Sequence, residues 1–330
     1  MSGSSQVLKR ELDVFGATMM GMGSILGTGV FVSIGIAAGT AGPAVILAIA
    51  LAGLVAVCNG LNSAQLAANH AVSGGTYEYG YKYLNSWMGF TAGWMFLLAK
   101  SASAATAALG FAGYLLNLLG INSRDYLIPL GLAAVTVLTF VVLSGLRRSN
   151  ITNIVIVSVT MAALTLFVIG GLPHLVNQGT ENLTPFFNTE GSPVANLLQA
   201  TALMFVAYTG YGRIATLGEE VREPRRVIPQ AIIAAMILTM VIYMSVAIVG
   251  VGAVGTDLLA GTAQTQAAPL EIAARAYTNI PLIAQVVAVG AITAMLGVLL
   301  NLILGLSRVL LAMGRRRDMP AVTARINTSS

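Results

Sequence analysis

Long runs without a charged side chain dominate the pattern of hydrophobic and polar positions along this chain. Asp, Glu, Lys and Arg are absent from residues 14–77, 126–146, 149–180, 191–212, 227–256 and 276–307. A helix needs about 20 apolar residues to cross the hydrocarbon core of a bilayer. The runs lack the polar and apolar alternation of barrel strands, so they predict transmembrane helices.

The first uncharged run is long enough for two spans, and its strongest turn signal is Gly42-Pro43. The pattern therefore predicts eight spans, numbered here in chain order: 14–40, 43–68, 87–119, 127–145, 152–172, 194–217, 228–254 and 282–313. A short amphipathic helix is predicted outside the spans at residues 269–278. It would pack over an outer vestibule or lie at the membrane interface, through one apolar face: Leu270, Ala273, Ala274 and Tyr277.

The amino-acid composition narrows the class of protein further. Hydrophobic residues make up 56% of the 330 residues and charged residues 9%, with a mean hydropathy of +0.83. A soluble domain carries about 25% charged residues, so a soluble globule, a disordered chain and a coiled coil are excluded. The net charge of +5 is scattered rather than gathered into a phosphate-binding patch. We expect an all-α polytopic membrane protein, one domain over residues 1–330, with the lipid bilayer as partner and no nucleic acid.

Lysine and arginine predict the orientation in the membrane. With the N-terminus inside, twelve of these residues fall in inner segments and two in outer segments. Positive residues concentrate on the cytoplasmic side of membrane proteins. The sequence therefore predicts a multi-pass protein of the inner or plasma membrane with a cytoplasmic N-terminus.

Glycine interrupts the first span at residues 23–29, which read GSILGTG. Each glycine weakens a helix by about 1 kcal/mol relative to alanine. One interpretation is close packing, since small residues let membrane helices approach each other. The other is an unwound segment, which survives at membrane depth only where it lines a cavity. Its free N–H groups would attract an anion.

The sixth span carries a comparable interruption at residues 205–212, which read FVAYTGYG. Two glycine-interrupted spans at corresponding places in two halves are typical of a transporter substrate site. The first span would open one five-helix unit and the sixth span would open the second.

Five ordered segments resemble motifs of the amino acid–polyamine–organocation superfamily of transporters. They are residues 23–31 (GSILGTGVF), 73–79 (SGGTYEY), 182–187 (NLTPFF), 219–229 (EEVREPRRVIP), and 307–313 (SRVLLAM) followed by 317–320 (RDMP). Within the superfamily the chain looks most similar to prokaryotic amino acid permeases of the branch that includes the eukaryotic cationic amino acid transporters.

The resemblance implies a leucine-transporter-like inverted-repeat fold in which spans one and six are broken. The first repeat would cover about residues 14–172 and a partial second repeat about 194–313. Members of the family usually have ten to twelve spans, so a chain with eight is expected to be truncated.

The resemblance also implies substrate contacts. The family binds the substrate carboxylate through backbone N–H groups of the first break, here those of Thr28 and Gly29, with Gly27 allowing the close approach. The ammonium group would meet the carbonyls of Ile25, Val206 and Thr209. The side-chain pocket would be flanked by Ala207, Tyr208 and Tyr211, although the tyrosines are equally compatible with lipid or packing contacts. Many relatives have an acidic residue where Gly212 stands, which argues against recognition of a cationic substrate there.

Lys100 is the most anomalous residue, because it lies near the middle of the third span. A charged residue at a helix centre costs about 2.5 kcal/mol or more, so we expect its side chain to turn toward a polar cavity near Ser101, Ser103 and Thr106. One interpretation is a fixed ammonium group pinned by carbonyls of a broken helix, where related transporters keep a sodium ion. The other is a proton carrier that couples transport to a gradient. Proton-coupled relatives place a lysine in the fifth span, which has none here.

Other chemistry is sparse. Protease, hydrolase and nucleotide-binding motifs are missing from the sequence. The two histidines, His70 and His174, fall in loops on opposite faces. We therefore expect no enzyme, no catalytic residue, no cofactor and no metal. The loop after the sixth span is either solvated or a gating ion-pair network, through its charged residues: Glu219, Glu220, Arg222, Glu223, Arg225 and Arg226.

These observations predict secondary active transport of amino acids by alternating access, driven by a proton gradient or by exchange. The alternatives are a truncated permease that acts as a membrane partner or sensor, and a passive channel.

Overall fold

The computed structural model describes residues 10–121, 123–188, 190–265, 269–278 and 280–325. Within these ranges the chain is helical, and its extended pairing is an isolated bridge between Leu12 and Val221. The helix α1 begins where the Asp13 carboxylate accepts a hydrogen bond from the Gly16 N–H, at 2.8 Å. The first run contains α1 (Val14–Ile25), a π-helical turn (Gly29–Ser33), α2 (Ile34–Ala41), a 3-10 turn (Gly42–Ala44) and α3 (Val45–Asn69).

The remaining helices follow the predicted order, with short additions. They are α4 (Thr76–Tyr83), α5 (Ser86–Leu118), α6 (Leu127–Leu143), α7 (Leu146–Asn182), α8 (Pro193–Tyr208), α9 (Gly212–Ala215), α10 (Pro224–Val254), α11 (Thr256–Thr265), α12 (Pro269–Tyr277) and α13 (Pro281–Arg316). Three 3-10 turns, at Arg124–Tyr126, Thr209–Tyr211 and Ala321–Ala324, complete the described elements.

The helices predicted for the spans are confirmed within a few residues, except at the fifth. There α7 starts six residues earlier than predicted and continues ten residues later, through Pro173. A proline removes one helical hydrogen bond, and packing against α10 and α13 keeps the helix continuous. The sequence pattern also missed α4 and α11, which are short and amphipathic.

Length and composition mark five described segments as able to cross a membrane. They are Val14–Asn69, which contains the first two predicted spans, and Ser86–Leu118, Arg148–Asn177, Pro224–Val254 and Pro281–Arg316. The shorter Leu127–Leu143 is also apolar. The chain is therefore a polytopic all-α membrane protein.

The long helix α13 lies at the centre and packs along α5 and α7, while α10 packs along α3 and α7. Small residues occupy the crossing points. A Cβ added to Gly290 would collide with Ala163, and one added to Gly171 would collide with Val249. Such contacts are how membrane helices gain van der Waals packing without a hydrophobic driving force.

The amphipathic helix predicted at residues 269–278 is confirmed as α12. Its four predicted apolar residues are buried against α13, α10 and α7. The Tyr277 hydroxyl donates to the Phe167 carbonyl at 2.8 Å. The helix thus packs onto the bundle rather than lying free at the interface.

Candidate functional site

The first break lies between α1 and the π-helical turn. Leu26 is extended, with ψ of 98°, and its N–H closes onto the Met22 carbonyl at 2.8 Å. The next backbone bond runs from the Phe31 N–H to the Gly27 carbonyl, at 3.2 Å. Within the described residues, the four intervening N–H groups, those of Gly27, Thr28, Gly29 and Val30, have no backbone acceptor. These groups are the anion-attracting donors that the unwound interpretation requires.

The second break lies between α8 and α9, where the chain forms a 3-10 turn over Thr209–Tyr211. The Thr209 N–H and hydroxyl both donate to the Val206 carbonyl, the hydroxyl at 2.8 Å. The α-helical ladder ends here, and the chain resumes as the single turn α9. Both predicted interruptions are therefore real breaks in the helices.

The two breaks are in direct contact. A Cβ added to Gly210 would collide with the Ser24 carbonyl, and one added to Gly29 would lie 2.6 Å from the Ala207 Cβ. Glycine is needed at these positions because the two backbones approach too closely for any side chain. The sequence left two interpretations of the glycines in the first span, close helix packing and an unwound segment. The structure contains both.

A cavity of about 880 Å³ opens beside the joined breaks and extends along α5 and α13. Seven predicted site residues line it: Ile25, Thr28, Gly29, Lys100, Val206, Ala207 and Thr209. Gly27 is not among the lining residues, and a Cβ added to it would collide with Val298 of α13. The structure therefore gathers most of the predicted residues around one space.

The two predicted tyrosines face away from this cavity. Tyr208 is fully buried, and its hydroxyl donates to the Ile49 carbonyl at 3.5 Å. Tyr211 lies beside Gly60. Both side chains pack against α3, so the structure places them in the packing role rather than on the cavity wall.

Tyr243 of α10 is a site residue that the sequence analysis missed. It is fully buried, and its hydroxyl donates to the Ile25 carbonyl at 2.8 Å and lies 3.5 Å from the Ala207 carbonyl. One hydroxyl therefore contacts both breaks. The signal in the sequence is a tyrosine in the middle of an apolar span, because a buried phenol needs a hydrogen-bond partner.

Two asparagine side chains, on α7 and α13, bond to each other and hold α1 against these helices. The Asn153 side chain of α7 donates to the Met19 carbonyl at 2.8 Å and accepts from Asn301 of α13. A Cβ added to Gly23 would collide with both amides. Gly23 thus serves close packing inside α1, while the break itself starts three residues later.

Lys100 projects into the cavity and has no acidic partner among the described residues. Its ammonium group lies 5.9 Å from the centre of the Phe96 ring. Ser103 and Thr106 line the cavity as predicted, but their hydroxyls donate to carbonyls of their own helix, each at 3.0 Å. Ser101 lies outside the lining.

A buried ionic cluster lies on the C-terminal side of the second break. Glu220 is fully buried and lies between Arg213 of α9, at 4.0 Å, and Arg308 of α13, with which it is in direct contact. The Glu220 carbonyl also accepts the N–H groups of Glu11 and Leu12, at 3.0 and 3.1 Å. This cluster joins the N-terminal segment, the loop after the second break and α13.

Two further ion pairs reach the end of α13. Glu219 binds Arg315 at 2.9 Å and accepts the Ser73 N–H at 3.0 Å. Burial alone would raise the pKa of Glu219, but these two partners hold it below the ordinary value. Glu78 of α4 binds Arg316 at 2.6 Å.

The solvated interpretation of this loop is therefore wrong for two of its glutamates. Glu219 and Glu220 form ion pairs with other elements, because the loop folds back against α13. Arg222, Glu223, Arg225 and Arg226 are exposed, as a solvated loop would have them.

Two broken helices meeting beside a cavity inside a polytopic bundle define a membrane transporter. The family described as Amino acid permease matches residues 16–330. The chain therefore belongs to the amino acid permease family, whose members are transporters rather than enzymes.

Relatives support the same assignment. The chain is 38% identical over 320 residues to an uncharacterized transporter of Mycobacterium tuberculosis, covering 97% of this chain and 69% of the relative. It is 30% identical to the methylthioribose transporter of Bacillus subtilis (98% and 71% covered) and 26% identical to the branched-chain amino acid permease BcaP of the same organism (97% and 70% covered). Cationic amino acid transporters of Arabidopsis thaliana also match, in agreement with the predicted branch.

The fold has a solved counterpart. The crystal structure of MhsT in complex with L-phenylalanine superposes with a TM-score of 0.62 at 16% sequence identity, covering 94% of this chain and 76% of that one. The leucine-transporter-like fold predicted from the sequence is confirmed by this likeness.

Proposed function

We propose that this chain carries amino acids across the membrane by secondary active transport, with the substrate held beside the two joined breaks. The observation that carries the proposal is that both breaks form one wall of the same cavity. A relative named as a branched-chain amino acid permease supports an amino acid substrate.

The breaks offer complementary groups to a zwitterion. The N–H groups of Thr28 and Gly29 would receive the carboxylate at the positive start of the second half-helix. The carbonyls of Val206 and Thr209, near the negative end of α8, would receive the ammonium group, with the Thr209 hydroxyl giving up its present bond to the Val206 carbonyl. The Ile25 carbonyl already accepts from Tyr243, so it would contribute only its second lone pair. Ala207 would border the substrate side chain.

Alternating access would follow from the two repeats, at about residues 14–172 and 194–313, moving around this fixed site. The N-terminus would be cytoplasmic, in the cell membrane. The bridge between Leu12 and Val221 places the N-terminal segment at the arginine-rich end of the bundle, which supports this orientation.

Lys100 would couple transport to a proton gradient. Its side chain lines the substrate cavity and has no carboxylate partner in the described chain. Its ammonium group would release a proton on one side of the membrane and take one up on the other as the cavity opens to each side in turn.

Uptake by proteoliposomes tests the proposal. Purified chain would be reconstituted and offered labelled amino acids with and without an inward proton gradient. Accumulation above equilibrium, or exchange with internal amino acid, is expected. Passive equilibration alone would instead indicate a channel, and no uptake would contradict the proposal.

A further inference from the structure

The charged side chains among the described lining of the cavity are both cationic. They are Lys100 on α5 and Arg213 on α9. In the same lining, aspartate and glutamate are absent. The wall beside the substrate therefore carries an excess of positive charge that a net-neutral zwitterion would not compensate.

Only some of the N–H donors of the Arg213 guanidinium group have hydrogen-bond partners. It is 5% exposed, and its Nη1 donates to the Thr216 hydroxyl at 2.6 Å. Its Nε and Nη2 have no hydrogen-bond partner in the described structure. The carboxylate paired with it, Glu220, is 4.0 Å from Nη2 and is shared with Arg308. Two arginines and one glutamate leave one positive charge on this cluster.

Unpaired charge in a partly buried site is costly, and the arrangement is stabilised when an anion enters. Guanidinium groups bind carboxylates in particular, because their N–H donors match the two carboxylate oxygens. A cationic substrate would add a third positive charge to the same space.

We infer that the preferred substrate is an amino acid with an acidic side chain, whose second carboxylate is attracted by Lys100 and Arg213 while its backbone groups bind at the breaks. This inference rests on the proposed function and specifies its substrate class. It also predicts that lysine and arginine are excluded, although plant relatives of the chain are named for cationic amino acids.

Glutamate and glutamine provide a matched test, because they have nearly the same shape and differ in one negative charge. Equilibrium binding to the purified full chain would be measured by competition against a labelled amino acid that binds. Glutamate should bind at least tenfold more tightly than glutamine, and lysine should not compete. Equal or tighter binding of glutamine would overturn the inference.

Lys100→Met should reduce this ratio at least tenfold, whereas Lys82→Met, on the exposed face of α4, should leave it unchanged. An unchanged ratio in Lys100→Met would remove Lys100 from the inference. If Lys100→Met does not fold, the comparison of glutamate with glutamine in the wild-type protein still tests the substrate class. Uptake of glutamine or leucine without glutamate would overturn the substrate class and leave the proposed function standing. Failure of every amino acid to bind or cross would overturn the proposed function itself.

Discussion

Gly29 allows the two breaks to approach each other at the candidate site, because it has no side chain. An added Cβ would lie 2.6 Å from the Ala207 Cβ and 2.8 Å from the Tyr243 hydroxyl. Overpacking of this kind costs about 1–3 kcal/mol for small additions, and leucine would also fill the space at the break. We therefore expect Gly29→Leu to abolish amino acid binding while the protein still inserts into the membrane.

Gly212 provides the matched control. It begins α9, directly after the second break, but an added Cβ would have no atom within 4 Å. Gly212→Ala should keep wild-type affinity in the same equilibrium binding assay. Wild-type affinity in Gly29→Leu would show that the substrate binds elsewhere.

Lys100→Met separates proton coupling from substrate binding. Without the Lys100 amine, accumulation driven by a pH gradient should be lost, because no proton moves with the substrate. Exchange of an internal for an external neutral amino acid such as glutamine should be at least partly kept, since its backbone groups bind at the breaks and its side chain does not need Lys100. Uptake measured against pH checks this, and unchanged pH dependence would mean that another group carries the proton.

At the scale of helices, Tyr243 of α10 is expected to keep the two breaks in register. Tyr243→Phe leaves the buried Ile25 carbonyl without this donor, which costs about 1–3 kcal/mol. Substrate affinity should fall about tenfold or more, because the breaks lose their shared contact.

Tyr277→Phe is the control for Tyr243→Phe. Tyr277 is also buried and also donates to a helix carbonyl, that of Phe167, at 2.8 Å, but this carbonyl belongs to α7 and not to either break. It should lower thermal stability by a comparable amount and leave affinity unchanged. Equal loss of affinity in both variants would indicate a general effect on folding.

The helices themselves are largely predictable from the sequence, because apolar length and glycine content act locally. The glycines within residues 23–29 and 205–212 are enough to indicate both breaks. The extent of α7 is not predictable in this way, since packing against α10 and α13 carries it through Pro173. The orientations of Tyr208 and Tyr211 also depend on a neighbour, α3, that the local sequence does not reveal.

At the scale of the whole molecule, Glu220 connects distant parts of the chain. Its partners, Arg213 and Arg308, come from α9 and α13, and sequence alone does not pair residues so far apart. Removing one partner of a buried ionic cluster costs about 3–5 kcal/mol. Glu220→Gln should therefore lower the Tm in detergent markedly, because two buried arginines would lose their carboxylate.

Glu223→Gln changes an exposed glutamate three residues later and should leave the Tm nearly unchanged. Both variants would be followed by thermal unfolding of the purified protein. Equal and small effects would show that the cluster contributes little to the assembly of the bundle.

The most direct test of the joined breaks as the substrate site uses chemically blocked substrates. The labelled amino acid that is taken up best would be challenged with its own amide, which lacks the carboxylate, and with its N-acetyl derivative, which lacks the ammonium group. Neither derivative should compete, because each loses its partner at one break: the N–H groups of Thr28 and Gly29, or the carbonyls of Val206 and Thr209. Competition by either derivative equal to that of the parent amino acid would contradict the account.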